Sequence, residues 1–348
     1  VTELAKLTRE VAAGRAGDPV TAATLLLDPE AEQVDVAAYL TAKAQAGATA
    51  EDVEALARAV LSAAVRVPYD GRACDLVGTG GDGSASVNIS TLAALLAVAS
   101  GATVAKAGNR AATSRCGSAD LLEALGVPVD PGPQGIAHAL RDPGFAFVLT
   151  SAVNPAVTRL AALRRRLGFP TLFNLSGPLT NPVATGARII GVAKERDQEV
   201  MAEAAARLGM CPAWLVRAHN GMDELSTLVP TKVIVVAEDA TETFTLDPAD
   251  LGVRRALPEE LAGGGPEDNA AIARAVLRGT AAPGLVETCA LNAAALLAAE
   301  LNTVDRVGEI ARQLDRVREA VIGGAAARLL ADLTTALTNR KVKADVPG

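Results

Sequence analysis

The sequence predicts an α/β protein in which a small all-helical N-terminal region precedes a larger domain with a mostly parallel central sheet. Three observations lead there. Residues 1–66 show helical periodicity alone. From residue 72 short apolar runs of strand length alternate with helical patterns. The chain has 348 residues, 50% of them hydrophobic, enough for a large core and more than one domain. The expected domains are residues 1–66, helical, and residues 72–342, α/β.

The elements follow in chain order. Leu4, Leu7, Val11 and Ala12 recur at helical spacing, as do Val36, Tyr39 and Leu40. Thr49 with Asp52 forms a capping-box pattern that opens a helix through Val53, Leu56, Val60 and Leu61. Residues 74–77 read as a short strand, followed by a glycine-rich loop and a helix over 92–99. A second strand at 103–106 leads through a polar loop to a helix at 119–125, stopped by Gly126. Further strands are expected at 145–149, 188–192, 214–217 and 232–236. A basic helix over 156–168 carries Arg159, Arg164, Arg165 and Arg166. From Pro266 the chain reads mainly as Ala- and Leu-rich helix, including 289–301 and 305–321. There is no internal repeat, and Gly263 to Gly265 marks a loop.

Composition narrows the function. A net charge of −7 and 2% aromatic residues argue against a nucleic-acid binder, which needs surplus Lys and Arg on one face and rings for stacking. Cys74, Cys116, Cys211 and Cys289 are scattered with no C-x-x-C pair, so reduced thiols are expected. Residues 1–13 are charged and helix-like, unlike a secretory signal. The longest uncharged stretch, 83–105, carries Ser84, Ser86, Asn88, Ser90 and Thr91 and is too polar for a membrane span. A cytoplasmic protein is expected.

Gly78-Thr79-Gly80-Gly81-Asp82-Gly83 matches G-x-G-x-x-G between a strand and a helix, the dinucleotide fingerprint. That reading requires a carboxylate about 20 residues on, to hold ribose hydroxyls. Residues 84–119 contain no Asp or Glu, and the second strand ends in Lys106. No G-K-[ST] follows the loop, which removes a Walker-type site. A polyphosphate ligand fits better. Glycines let backbone N–H groups approach an anion, and the following helix offers its positive end. Asn88, Ser90 and Thr91 add donors, and Lys106, Arg110 and Arg115 add cations with no acid inside that stretch. Further on, Asp223 and Glu224 are adjacent carboxylates in a loop. Alone they read as solvated surface; beside a polyphosphate they become a magnesium anchor.

The order of these motifs resembles the anthranilate phosphoribosyltransferase family. The match comprises Gly78 to Gly83, Val87-Asn88-Ile89-Ser90-Thr91, Lys106-Ala107-Gly108-Asn109-Arg110 and Cys116-Gly117-Ser118-Ala119-Asp120 to Gly126. Phe173-Asn174-Leu175-Ser176-Gly177-Pro178-Leu179-Thr180-Asn181-Pro182 and Asp223-Glu224-Leu225-Ser226 extend it across nearly the whole chain. The resemblance implies transfer of a phosphoribosyl group from phosphoribosyl pyrophosphate to anthranilate in tryptophan biosynthesis, with Mg2+, in a cytoplasmic homodimer formed through helical domains. It also implies that helices near 155–170 complete the helical domain. Carried over residue by residue, the donor site would comprise Gly78, Gly81, Asp82, Ser86, Asn88, Ile89, Ser90, Thr91, Lys106, Gly108, Asn109, Arg110, Ser114 and Ser118. Ser90, Asp223 and Glu224 would hold the metal, and Gly78, Asn109 and Arg164 would face the acceptor.

The departures fall on the acceptor side. Ala107, Asn154 and Arg217 stand where family members commonly carry His. His138 and His219 are the chain's two histidines; His138 reads as structural, His219 as a weak candidate base, and no catalytic residue is assigned. The alternatives are the same transfer to another small aromatic acid and, more remotely, a non-catalytic relative that binds nucleic acid. Pyrimidine nucleoside phosphorylases share the implied fold but fit the acid pair and the N-I-S-T segment less well.

Overall fold

The computed structural model describes residues 1–111, 114–183, 186–238 and 240–344, with side chains as far as residue 335. Helices α1 (Glu3–Ala12), α2 (Pro19–Leu27), α3 (Gln33–Ala46) and α4 (Ala50–Ser62) come first. Their starts are set locally. The Thr2 hydroxyl accepts from the Ala5 N–H, and Asp18 caps α2 ahead of Pro19. Thr49 and Asp52 exchange both bonds of a capping box. The Asp52 carboxylate also takes the Lys43 ammonium at 2.7 Å, a buried pair that ties α3 to α4.

The α/β region runs β1 (Asp75–Gly78), α5 (Ile89–Ala99), β2 (Val104–Gly108), α6 (Ser118–Ala124), α7 (Gly132–Arg141) and β3 (Phe145–Leu149). It continues through α8 (Thr150–Val153), α9 (Pro155–Thr158), α10 (Ala161–Leu167), α11 (Leu172–Ser176), β4 (Arg188–Gly191), α12 (Glu195–Arg207), β5 (Ala213–Ala218), β6 (Thr231–Val236) and β7 (Thr241–Leu246). Helices α13 (Pro266–Leu277), α14 (Pro283–Leu301), α15 (Arg306–Ile322) and α16 (Ala325–Ala344) close the chain.

The main sheet has the order β1-β4-β5-β6-β7, with β1, β4 and β5 parallel and β6 and β7 added antiparallel. Strands β2 and β3 pair in parallel beside it, joined to β1 through a single Cys74–Val104 bridge. The edge strand β7, Thr-Glu-Thr-Phe-Thr-Leu, is largely exposed and polar and so left no apolar run to read. The basic helix expected over 156–168 is two helices, α9 and α10, between which Leu160 turns inward to 2% exposure.

One hydrophobic cluster gathers α5, α14, α15 and one face of the sheets. A second joins α1–α4 to Leu160, Leu172 and Phe173 and runs on into α12 and the other face of β4–β6. The N-terminal helices therefore share a core with the sheet. Helix α14 is long and apolar enough to cross a bilayer by length and composition, but its apolar window is 78% buried inside the protein.

Candidate active site

Chain continuations from β1 and from β3 go to opposite sides: β2 lies on one flank of β1 and β4 on the other. A crevice at the carboxyl ends of strands that part in this way is where α/β sheets bind ligands. Gly78 ends β1 there and opens the glycine loop. Gly80, Gly81 and Gly83 adopt φ of +65°, +76° and +74°, a region that favours glycine, which explains their spacing. The loop is pinned where it returns: Ser86 bridges Ala262, and the Val87 N–H donates to the Leu261 carbonyl. Helix α5 then starts at Ile89 with no side chain among the described residues capping it, which leaves its positive end to an anion.

The acid loop, which follows β5, packs over the ends of β1 and β4 to meet this turn. A Cβ on Gly191 would overlap the Asp223 carbonyl oxygen, and one on Gly78 would overlap the Asp223 carboxylate. That close approach lets Asp223 Oδ2 accept from the Gly80 N–H at 2.8 Å. From the other side, α14 holds the loop through the buried Asn292, whose amide accepts from the Leu225 N–H and donates to the Leu225 carbonyl. Carboxylate oxygens of Asp82, Asp223 and Glu224 lie within 4.8 Å of one another. Burial first, and then the neighbouring Asp82, pushes Asp223 up to about 6. Burial and the two flanking acids push Glu224 well above the ordinary carboxylate range, with Lys106 opposing. Oδ2 of Asp82 and Oε2 of Glu224 are buried without a partner among the described residues. Crowded acids with orphaned oxygens are what a hard divalent cation satisfies, so the donor set fits magnesium. Ser90, expected as a third ligand, is the second residue of α5 and half-buried. Asp82 is the acid that joins the pair.

Two of the cations are less free than the sequence implied: acids outside residues 84–119 reach Arg110, and Lys106 is buried. Arg110 forms a two-pronged ion pair with Glu123 and lies 3.7 Å from Asp120. Lys106 is 1% exposed and donates to the Leu76 carbonyl at 2.6 Å, so it lies beneath the site. Arg115 is exposed. Ile89 and Thr91 are buried in the α5 core, and Gly81 lies exposed on the loop. The Asn88 amide is spent on scaffolding, donating to the Cys116 carbonyl and accepting from Asn269 of α13. Asp120 folds the loop after β2 by accepting from the Ala111 and Gly117 N–H groups. Ser114 donates to the Cys116 carbonyl; Ser118 opens α6 beneath Gly108. Asn109 is exposed at the end of β2 and accepts from the Ser151 N–H. Asn269 and Asn292 had no motif to announce them; Asp120 lay within the Cys116-to-Gly126 motif without an assigned role.

Of the residues expected to face the acceptor, Arg164 stands 5.1 Å over the Phe173 ring and makes a long 3.4 Å bond to Asn174. Its Nε is buried without a partner among the described residues, and burial lowers its pKa. Arg165 and Arg166 are exposed. Ala107 is buried in β2, Arg217 donates to the Ala193 carbonyl, and Asn154 is 2% exposed with both amide atoms unpartnered among the described residues. His138 and His219 are exposed.

Residues 70–327 match the glycosyl transferase family, a/b domain, which sets the class. An anthranilate phosphoribosyltransferase from Saccharopolyspora erythraea is 42% identical over 316 residues, 90% of each chain. One from Rhodococcus jostii is 41% identical over 91% of this chain and 88% of that one. Among solved structures, an anthranilate phosphoribosyltransferase from Thermus thermophilus aligns with a TM-score of 0.86 at 38% identity, covering 95% of this chain and 99% of that one. The enzyme from Saccharomyces cerevisiae in complex with phosphoribosyl pyrophosphate (PRPP) and Mg aligns at 0.87 and 27% identity, covering 97% and 99%. The chain belongs to the anthranilate phosphoribosyltransferase family.

Proposed function

We propose that this chain transfers the phosphoribosyl group of PRPP to the amine of anthranilate and releases pyrophosphate, the second step from chorismate in tryptophan biosynthesis. The observation that carries this reading is the convergence of the glycine loop, the uncapped start of α5 and three carboxylates at the ends of β1 and β4. The loop N–H groups and the α5 start bind the pyrophosphate, with Gly78, Gly81, Asp82, Ser86 and Ser90 as its surround and Asn88 and Thr91 as the scaffold behind it. Asp82, Asp223 and Glu224 hold Mg2+, assisted by Ser90. Bound there, magnesium neutralises charge that develops on the leaving pyrophosphate. Gly108, Asn109, Arg110, Ser114 and Ser118 line the remaining donor surface, for which Arg110 exchanges its pair with Glu123 for phosphate. Arg164 presents a planar fork to the acceptor carboxylate. Holding the aromatic amine against the ribose carbon supplies the remaining rate enhancement, and no covalent nucleophile is required.

The division into a helical domain (residues 1–66, completed near 155–170) and an α/β domain (72–342) is part of this proposal. So are the cytoplasmic location and a homodimer formed through the helical domains; support for these comes from the family resemblance. The test is steady-state pyrophosphate release at fixed PRPP against a panel of aromatic amines and acids. The reading expects anthranilate to lead. A preference for a benzoate lacking the ortho amine would keep the donor and remove anthranilate, a comparison made pointed by Ala107 and Asn154.

A further inference from the structure

Strands β1 and β2 meet at the Cys74–Val104 bridge, where the Cys74 N–H donates to Thr103 and the Ala105 N–H to Cys74. Continued as a parallel ladder, the next bonds would join the Ala107 N–H to the Leu76 carbonyl and engage the Ala105 carbonyl. Instead each of these three groups is taken by a buried side chain. The Leu76 carbonyl accepts from Lys106 Nζ at 2.6 Å, and the Ala107 N–H donates to Asp75 Oδ1 at 3.0 Å. The Ala105 carbonyl accepts from Asn181 Nδ2 at 2.7 Å, and the same amide donates to Asp75 Oδ2 at 2.9 Å. Asp75, Lys106 and Asn181 are 0%, 1% and 4% exposed.

Desolvating an acid, an ammonium and an amide is costly, and a continued ladder would have satisfied the same backbone groups without it. What the side chains add is a gap. Beyond the bridge the two strands belong to separate sheets, and at the open end of the fork stand the loops that begin at Gly78 and end β2 at Gly108 and Asn109. We propose that Asp75 and Asn181 are positioning residues for the phosphoribosyl donor: with Lys106 they wedge β1 from β2 and set the spacing between the two donor loops. The inference rests on the donor reading above. It assigns Lys106 to the wedge, with no need for it to reach the ligand.

The experiment compares Asp75→Asn and Asn181→Ala with the unmutated enzyme, and uses Asp52→Asn as a control that disturbs an equally buried pair in the helical region. Folding is checked by circular dichroism. Donor affinity is measured by calorimetry with PRPP and Mg2+, which needs no turnover, and by the KM for each substrate. The wedge predicts that donor Kd and KM rise at least tenfold in both variants, with acceptor KM within about twofold and kcat within about threefold. The control should lose thermal stability with donor affinity unchanged. Folded variants with unchanged donor affinity, or a control that weakens donor binding equally, overturn the inference. If Asn181→Ala does not fold, Asp75→Asn, which retains an oxygen for the Ala107 N–H, is read by the same ratios. Failure of the donor reading looks different, since the unmutated protein would then show no PRPP binding at all.

Discussion

The paired change Asp223→Asn with Glu224→Gln should make the metal-free protein more stable while removing its magnesium-dependent turnover. Asp223 lies at about 6 against an ordinary value of 3.8, and Glu224 is displaced in the same direction. A carboxyl whose pKa is raised by folding contributes most at low pH, below the unfolded value. Its contribution is lost as pH rises from about 4 through about 6. The Asp223 displacement alone corresponds to about 3 kcal/mol for a fully desolvated group, and to on the order of 1–3 kcal/mol where some solvent contact remains. Neutral amides escape that loss, so in chelator at pH 8 the variant should melt a few degrees above its parent, converging near pH 4. Magnesium should stabilise only the parent and so close that gap, by about 2.7 kcal/mol at a hundredfold excess over Kd. Differential scanning calorimetry across pH, with and without Mg2+, reads all of this. A variant less stable than its parent in chelator at pH 8, or one turning over at the parental rate at low Mg2+, would refute the crowded-carboxylate account.

Three further outcomes are expected. Arg164→Ala should raise the acceptor KM about 10- to 100-fold, as for a lost charge-assisted contact, and leave the donor KM within twofold; Arg165→Ala and Arg166→Ala should stay near parental in the same assay. Gly191→Ala would drive a Cβ into the Asp223 carbonyl, so both turnover and the stabilisation by Mg2+ should disappear in a thermal-shift titration. Asn292→Ala removes both bonds to Leu225 and should cost about 2 kcal/mol by urea denaturation, with weaker Mg2+ affinity measured by calorimetry.

What the sequence made legible was local. Gly78 to Gly83 announced a glycine-rich loop, in which Gly80, Gly81 and Gly83 take positive φ, and the alternation of short apolar runs with helices announced the layers. Asp223 and Glu224 acquired meaning only beside a phosphate loop, and the structure places them there. Tertiary facts escaped. Asp82 reaches the acid pair because of the path of the glycine loop, which no spacing rule gives. Arg110 is neutralised by Glu123, 13 residues on and just beyond the acid-free stretch that made it look free. Lys106 faces inward because the strand fork points it at Leu76. The helical N-terminus was plain, yet its sharing of a core with α12 and the sheet depends on contacts across well over 100 residues. Asp75, within a strand otherwise apolar, was the one clue to the fork.

Joining a phosphoribosyl group to the amine of anthranilate is the reaction that this site is proposed to perform. Incubation of the purified protein with PRPP, Mg2+ and anthranilate, followed by mass spectrometry of the products, tests it directly. The account predicts one adduct of anthranilate and the phosphoribosyl group, formed in equal amount with pyrophosphate and absent when Mg2+ is chelated. PRPP consumed without an anthranilate adduct, or anthranilate left untouched while another aromatic acid is modified, would contradict it.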